Sequence, residues 1–338
     1  IDALSGRLAP TKGTCMVMGT ASTVACMTEA LGMCLPGAGS APATHADRIR
    51  LAEASGAAAV KLAAAGRRPS DIMTEAAFRN AFTVLQAIGG STNAVVHFTA
   101  VAARLGIRID MAAFDRMGLD VPVLVDLKPS GEHYMEHFHW AGGVPKLLKE
   151  ISAHLDMTTL TVTGGTLADY AAGAEDVPDQ TVIRTPAYPI AVGGGLAVLH
   201  GNLAPGGALI KRSASSEKLM RHEGRAVVFD GLEDMTNRLD SDDLDVTADD
   251  ILVLRHAGPK GAPGMPEAGY IPIPRKLARQ GVKDMVRISD ARMSGTAFGT
   301  IVLHITPESA IGGPLALVQS GDRIRLDANA RTLDLLVD

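Results

Sequence analysis

The sequence predicts an α/β protein built in two parts, and three observations predict it. Up to about residue 180, apolar residues recur at helical spacing around two short apolar runs, Val121–Leu127 and Leu160–Thr163. Strands alternating with helices imply a parallel sheet. After about Asp179, short β-rich runs follow one another, separated by Gly, Pro and Asp turns such as Gly321-Asp322 and Asp327-Ala328-Asn329. That is the pattern of a compact barrel or sandwich with a few short helices. A length of 338 residues suits about two domains, and the change of texture puts their boundary near 180–185.

Each element has a local reason. From Thr23 to Leu31, the residues Val24, Met27 and Leu31 share one helical face, and Pro36-Gly37 ends the segment. Thr44-His45-Ala46-Asp47 reads as a capping box opening a helix through Ala65, with Gly66 as its C′ residue. A further helix runs from Asn93 to Leu105, closed by Gly106. Val121–Leu127 is a buried strand leading into the turn Lys128-Pro129-Ser130-Gly131. Pro145 suits the first position of a helix Pro145–Leu155, and Leu160–Thr163 gives another strand. Beyond the boundary, strands are predicted at Thr181–Arg184, Ala208–Lys211, Ala226–Phe229, Ile251–Leu254, Val286–Ser289, Thr300–Ile305 and Arg323–Leu326. No internal repeat is visible. The chain opens at Ile1 without a signal-peptide pattern and closes on Thr332–Val337, a strand still running. The expectation is therefore an internal piece of a longer protein.

Composition removes several function classes. With 46% hydrophobic residues and no low-complexity run, disorder is excluded. The most apolar stretches, Ala57–Ala65 and Ala187–His200, are broken by Lys61 or by Pro189 and three glycines, short of the roughly 20 clean residues of a membrane span. A net charge of -5 and 4% aromatic residues argue against a nucleic-acid partner. Cys15, Cys26 and Cys34 form neither a disulfide framework nor a paired zinc pattern, which suits a reducing cytoplasm.

Four glycine-rich stretches offer backbone for close approach to a ligand. They are Gly13–Thr23, Gly89-Gly90-Ser91-Thr92-Asn93, Gly258–Glu267 and Ser289–Thr296. The first two lead into helices, whose free N–H groups favour anions. Gly193-Gly194-Gly195 reads as a turn or bulge. Cys15 lies just ahead of a helix start, where a thiolate is favoured, so it is a metal ligand, a nucleophile or a buried structural thiol. Cys26 and Cys34 read as small apolar core residues. Ser294 reads as a nucleophile or a base, although Arg292 breaks the G-x-S-x-G elbow. His133, His137 and His139 are close in sequence but read as surface histidines, since HExxH is absent. The acidic run Asp240–Asp245 fails the calcium-loop template and reads as a solvated loop.

Taken together with Leu199-His200-Gly201-Asn202-Leu203-Ala204-Pro205 and Ala141-Gly142-Gly143-Val144-Pro145, these stretches resemble the dihydroxy-acid and phosphogluconate dehydratase family. The likeness covers essentially the whole chain. Ser289-Asp290-Ala291-Arg292-Met293-Ser294-Gly295-Thr296-Ala297 is similar to the sugar-acid branch. Ser289, Ala291 and Thr296 depart from the branched-chain pattern, Thr-Asp-Gly-Arg with a second glycine after Ser-Gly.

The resemblance implies an N-terminal α/β domain over 1–183, lacking its N-terminal portion, and a C-terminal β-barrel domain over 184–338, with homodimers or homotetramers. It implies a 2Fe-2S cluster with Cys15 as one ligand, Mg held in part by Glu267, Ser294 as catalytic residue and Thr296 in the substrate pocket. The remaining cluster cysteines, a carbamylated lysine and the Mg-binding aspartates would lie upstream. The implied reaction is dehydration of a sugar acid, an aldonate such as arabinonate or xylonate, to its 2-keto-3-deoxy acid. A chain of this extent is expected to be inactive alone. Three other readings stand beside it: a branched-chain dihydroxy-acid dehydratase, a serine-dependent hydrolase through Ser294, and a non-catalytic fragment.

Overall fold

The computed structural model of the protein describes residues 13–336. They fold into two compact units. One comprises residues up to Gly90 with Ala94–Asp110 and Arg116–Gly194; the other comprises Ser91–Asn93, Met111–Asp115 and everything from Gly195.

The first unit is helical. Helices α1 (Thr20–Ala30), α2 (Ala46–Ala64), α3 (Pro69–Ile72) and α4 (Glu75–Ile88) are followed by α5 (Asn93–Arg104) and α6 (Met111–Asp120). The short helices α7 (Met135–Trp140), α8 (Gly143–Glu150) and α9 (Leu167–Ala172) complete the series. Helix α4, which was not among the elements expected from the sequence, is the most buried of them. Thr74 Oγ1 caps it by accepting from Ala77 N–H, and Gly89 ends it in the left-handed region at φ 53°. Asn80 exchanges two hydrogen bonds of 2.9 Å with the backbone of Asp156. Helix α2 starts one residue later than expected, because His45 rather than Thr44 accepts from Asp47 N–H. The predicted Pro145–Leu155 helix stops at Glu150 and gives way to a 3-10 turn over Ser152–His154.

The expected parallel sheet of this unit is not formed; among the described residues it holds no strand. Residues 121–127 are extended, but their backbone groups go to loops and a helix end. Leu124 N–H donates to Ala87 O, Asp126 N–H to Val182 O, and Val123 N–H to Ala191 O. Thr181–Arg184 makes only the bridge from Ile183 to Val125, and Leu160 bridges only to Thr166. With their donors taken by irregular partners, these runs cannot extend a ladder.

The second unit holds an eight-stranded sheet. Its strands are β1 (Leu196–Leu199), β2 (Gly207–Lys211), β3 (Arg221–Asp230), β4 (Ile251–Arg255), β5 (Arg287–Ser289), β6 (Ile301–Thr306), β7 (Arg323–Asp327) and β8 (Thr332–Leu336). Val337 and Asp338, where the last strand was expected to run on, lie outside the described residues. The order is β1-β2-β6-β5-β4-β3-β7-β8, and a bridge between His200 and Thr332 brings the two edges together into a nearly closed barrel. The parallel pairs predicted for the other unit occur here, as β3–β4–β5–β6. Alternation decides the two faces. Ile210, Val228, Val253, Ile288, Val302 and Ile324 fill the interior. Phe229, Leu252 and Leu254 face outward under α10 (Leu232–Arg238) and α11 (Arg275–Arg279). Each fully buried aliphatic side chain contributes about 1.5–3 kcal/mol.

Candidate active site

Cys15 lies in the first unit, on the loop ahead of α1. The loop is held by its backbone: Met135 N–H donates to Met16 O and Met18 N–H to Lys128 O, both at 2.8 Å. Ser22 Oγ adds a bond of 3.2 Å to Val17 O. The thiol itself is exposed. Cys26 and Cys34 differ in kind. Burial pushes the Cys26 thiol far up, and that of Cys34 up to about 11, so both are poor thiolate donors. A well-held loop with an exposed sulfur fits a cluster ligand.

Glu267, Ser294 and Thr296 lie in the second unit, on two glycine-rich loops that are laced together. Arg292 Nε donates to Met265 O at 2.7 Å, and Gly269 N–H to Arg292 O at 2.8 Å. The approach at Gly269 leaves no room for a side chain, since a Cβ there would sit 2.4 Å from Leu303 Cδ2. Within the serine loop, Ser294 Oγ and Thr296 Oγ1 are 2.8 Å apart, and a turn forms as Ala297 N–H donates to Ser294 O.

Asn93 joins these parts, a role that local pattern did not reveal. Its Nδ2 donates to Glu267 Oε1 and to Met293 O, each at 2.9 Å. One buried amide thus fixes both the carboxylate and the residue before Ser294. Thr92 beside it contacts His304 Nε2 at 3.2 Å, which fastens the 91–93 segment to β6. Glu267 remains exposed, with one oxygen oriented by an amide; an oriented hard-oxygen donor fits a magnesium ligand.

Two of the expected ligand-binding loops spend their polar groups internally. Glu308 accepts from Lys260 N–H at 2.9 Å and Gly261 N–H at 3.2 Å, so the amides of the Gly258 loop already hold a carboxylate. Asp290 is buried and accepts from Ala257 N–H and Ser309 N–H. It anchors the Ser289–Thr296 stretch from below.

The three neighbouring histidines separate. His133 and His137 stack edge to face with ring centroids 5.7 Å apart. His139 instead joins His45 and Asp47 in a group able to hold a metal ion. Among the described residues, no helix is long and apolar enough to cross a membrane.

The family described as dihydroxy-acid/6-phosphogluconate dehydratase, N-terminal, matches residues 1–170, and its C-terminal counterpart matches residues 181–338. The L-arabonate dehydratase of Azospirillum brasilense is 49% identical over 92% of this chain and 54% of its own length. The 6-deoxy-6-sulfo-D-gluconate dehydratase of Pseudomonas putida is 44% identical over 99% and 58%. The dihydroxy-acid dehydratase of Mycobacterium bovis is 43% identical over 100% and 58%. The chain therefore spans a little over half the length of these curated relatives.

Proposed function

Because the chain belongs to the dihydroxy-acid/6-phosphogluconate dehydratase family, we propose that the protein is a hydro-lyase that dehydrates a sugar acid to its 2-keto-3-deoxy acid. The observation that carries this reading is the Ser294–Thr296 hydroxyl pair on a loop tied to Glu267 through Asn93. In the reaction, the C2–H bond breaks and its electrons enter an enolate-like system with the carboxylate. Those electrons form the C2=C3 bond as the C3–O bond breaks, the departing hydroxide takes up one proton, balancing the one removed from C2, and leaves as water, and the enol tautomerises to the keto acid. Ser294 Oγ takes the C2 proton. A serine hydroxyl is a weak base until its oxyanion is stabilised, and Thr296 Oγ1 at 2.8 Å can donate to it. Glu267 would hold Mg and Cys15 would be one ligand of a 2Fe-2S cluster. When bound, these groups supply positive charge beside the substrate carboxylate and Lewis acidity for the departing hydroxyl.

Thr296 also supports the substrate class. With its proton directed at Ser294 Oγ, its oxygen can still accept a hydrogen bond from a polyol chain, whereas an isopropyl group gains nothing from it. The test compares kcat/KM for arabinonate, xylonate and 2,3-dihydroxyisovalerate on the full-length enzyme. Preference for the branched acid would overturn the sugar-acid reading. Ser294→Ala should lower kcat by about a hundredfold or more with substrate binding retained; near-native turnover would assign the base elsewhere. Cys15→Ser should remove the visible absorbance of a cluster that Cys26→Ala keeps. We place the enzyme in the cytoplasm as a homodimer or homotetramer, which light scattering of the purified protein tests.

A further inference from the structure

We propose that His45, Asp47 and His139 form a binding site for a divalent metal of borderline softness, zinc above all, separate from Cys15 and Glu267. The three residues come from distant points of the first unit: the N-terminus of α2 and the body of α7. Asp47 Oδ2 lies 3.1 Å from His45 Nδ1 and 3.3 Å from His139 Nε2. All three ligand atoms fall within 4.8 Å of one another. A tetrahedral ion with bonds of about 2.0–2.1 Å sets its ligand atoms roughly 3.3–3.4 Å apart. Two of the three edges already have nearly that length.

The Asp47 carboxylate is contacted by both imidazoles, and a cation would take the place of the proton shared with His139. Ser40 Oγ donates to Gly37 O at 3.3 Å and lies 3.2 Å from His139 Nδ1. A metal on Nε2 would leave Nδ1–H to be donated to this hydroxyl. Such a hydrogen bond on the far nitrogen is what orients a metal-binding imidazole. His45 Nδ1 accepts from Asp47 N–H at 3.4 Å, a long contact that puts a lone pair on this side. Binding of a cation here displaces the proton that His139 Nε2 shares with Asp47, so uptake should release a proton. Arg50 engages the other carboxylate oxygen and leaves Oδ2 as a single donor. Side-chain exposures of 40% for His45 and 15% for His139 leave solvent access for a water as fourth ligand. Two imidazoles and a carboxylate suit zinc or cobalt far better than magnesium.

The test titrates full-length protein, dialysed against chelator, with Co2+ followed by visible absorption and with Zn2+ by calorimetry. A Cys15→Ser, Glu267→Gln background weakens the other proposed metal sites, and uptake at this one is read as the difference between that parent and its variants. We expect one equivalent of Co2+ with the strong visible band of a four-coordinate site, displaced by Zn2+. His139→Ala and Asp47→Asn should lose it, and Ser40→Ala should weaken it by about tenfold through the orienting bond. His45→Gln, at a half-exposed helix cap, gives a variant that keeps the fold and should still lose the site. Equal uptake by the parent and all four variants would overturn the proposal, as would absence of any band in the parent, which would leave the group as a hydrogen-bonded helix cap only.

Discussion

Asn93 shows how much one side chain can organise. Its two N–H groups are divided between Glu267 and the backbone at Met293, so Asn93→Ala leaves a carboxylate unoriented and a carbonyl unpaired. The expected loss is about 1–3 kcal/mol in denaturant unfolding, and the proposed role of Glu267 as a magnesium ligand predicts an affinity for magnesium about tenfold weaker. Unchanged magnesium affinity would remove Asn93 from the site.

Lys211 makes the opposite case. It is 2% exposed at the end of β2, forms no ion pair among the described residues, and burial lowers its pKa to about 8. The folded state therefore binds fewer protons than the unfolded state between about pH 8 and 10.5. Stability should rise with pH across that window, and the full penalty applies below it. Lys211→Met should raise stability at pH 7 by about 3 kcal/mol, the free energy of that shift, and the gain should vanish near pH 11. Unfolding curves at pH 7 and 11 for both proteins decide it.

At the scale of elements, the serine loop depends on Gly299, just before β6. Its φ is +131°, and a Cβ there would lie 1.9 Å from Arg287 Nη2. That guanidinium is buried, paired with Asp284 at 2.7 Å and bonded to the carbonyl of Tyr270 at 3.1 Å. Gly299→Ala must displace it, and should cost about 3 kcal/mol and lower turnover, because residues 294–299 form one connection. Native melting temperature and kcat in this variant would refute the account.

The legible elements were those with local causes. The strands from β2 to β7 announced themselves by β-branched runs between Gly and Asp turns. Helix α1 did so by its apolar face. Helix α4 was missed although its polar residues Glu75, Arg79, Thr83 and Gln86 recur at helical spacing; the period was there to be read. Residues 121–127 have strand composition, yet Ala87 and the 182–191 segment decide their pairing. The site follows the same rule. Ser294 and Thr296 stand out within one loop, whereas Asn93 and Glu267 are separated by 174 residues and His139 and Asp47 by 92. No local pattern encodes such pairs.

At the scale of the barrel, closure rests on the Leu199–Pro205 segment, which at the sequence level served only as a family likeness. After β1 the chain turns at Gly201 against β8, where a Cβ would sit 2.1 Å from Leu333 O. Asn202 then behaves like one more strand residue. Its Nδ2 donates to Leu335 O at 2.8 Å and its Oδ1 accepts from Leu335 N–H at 2.7 Å. Its own N–H donates to Asp334 Oδ1 at 3.0 Å. The seam is otherwise a single bridge flanked by His200 N–H to Arg331 O and Leu333 N–H to His200 O. An open edge exposes unpaired backbone on both sides, so the side-chain amide of Asn202 substitutes for ladder bonds that β1 is too short to make. Asn202→Ala should cost about 1–2 kcal/mol. Gly201→Ala, which forces backbone apart, should cost about 3 kcal/mol or more. Both should lower hydrogen-exchange protection at β1 and β8 while β4 and β5, on the far side of the strand order, keep theirs. Uniform loss of protection across all eight strands would mean that the seam and the interior open together, and that Asn202 is not a local closure.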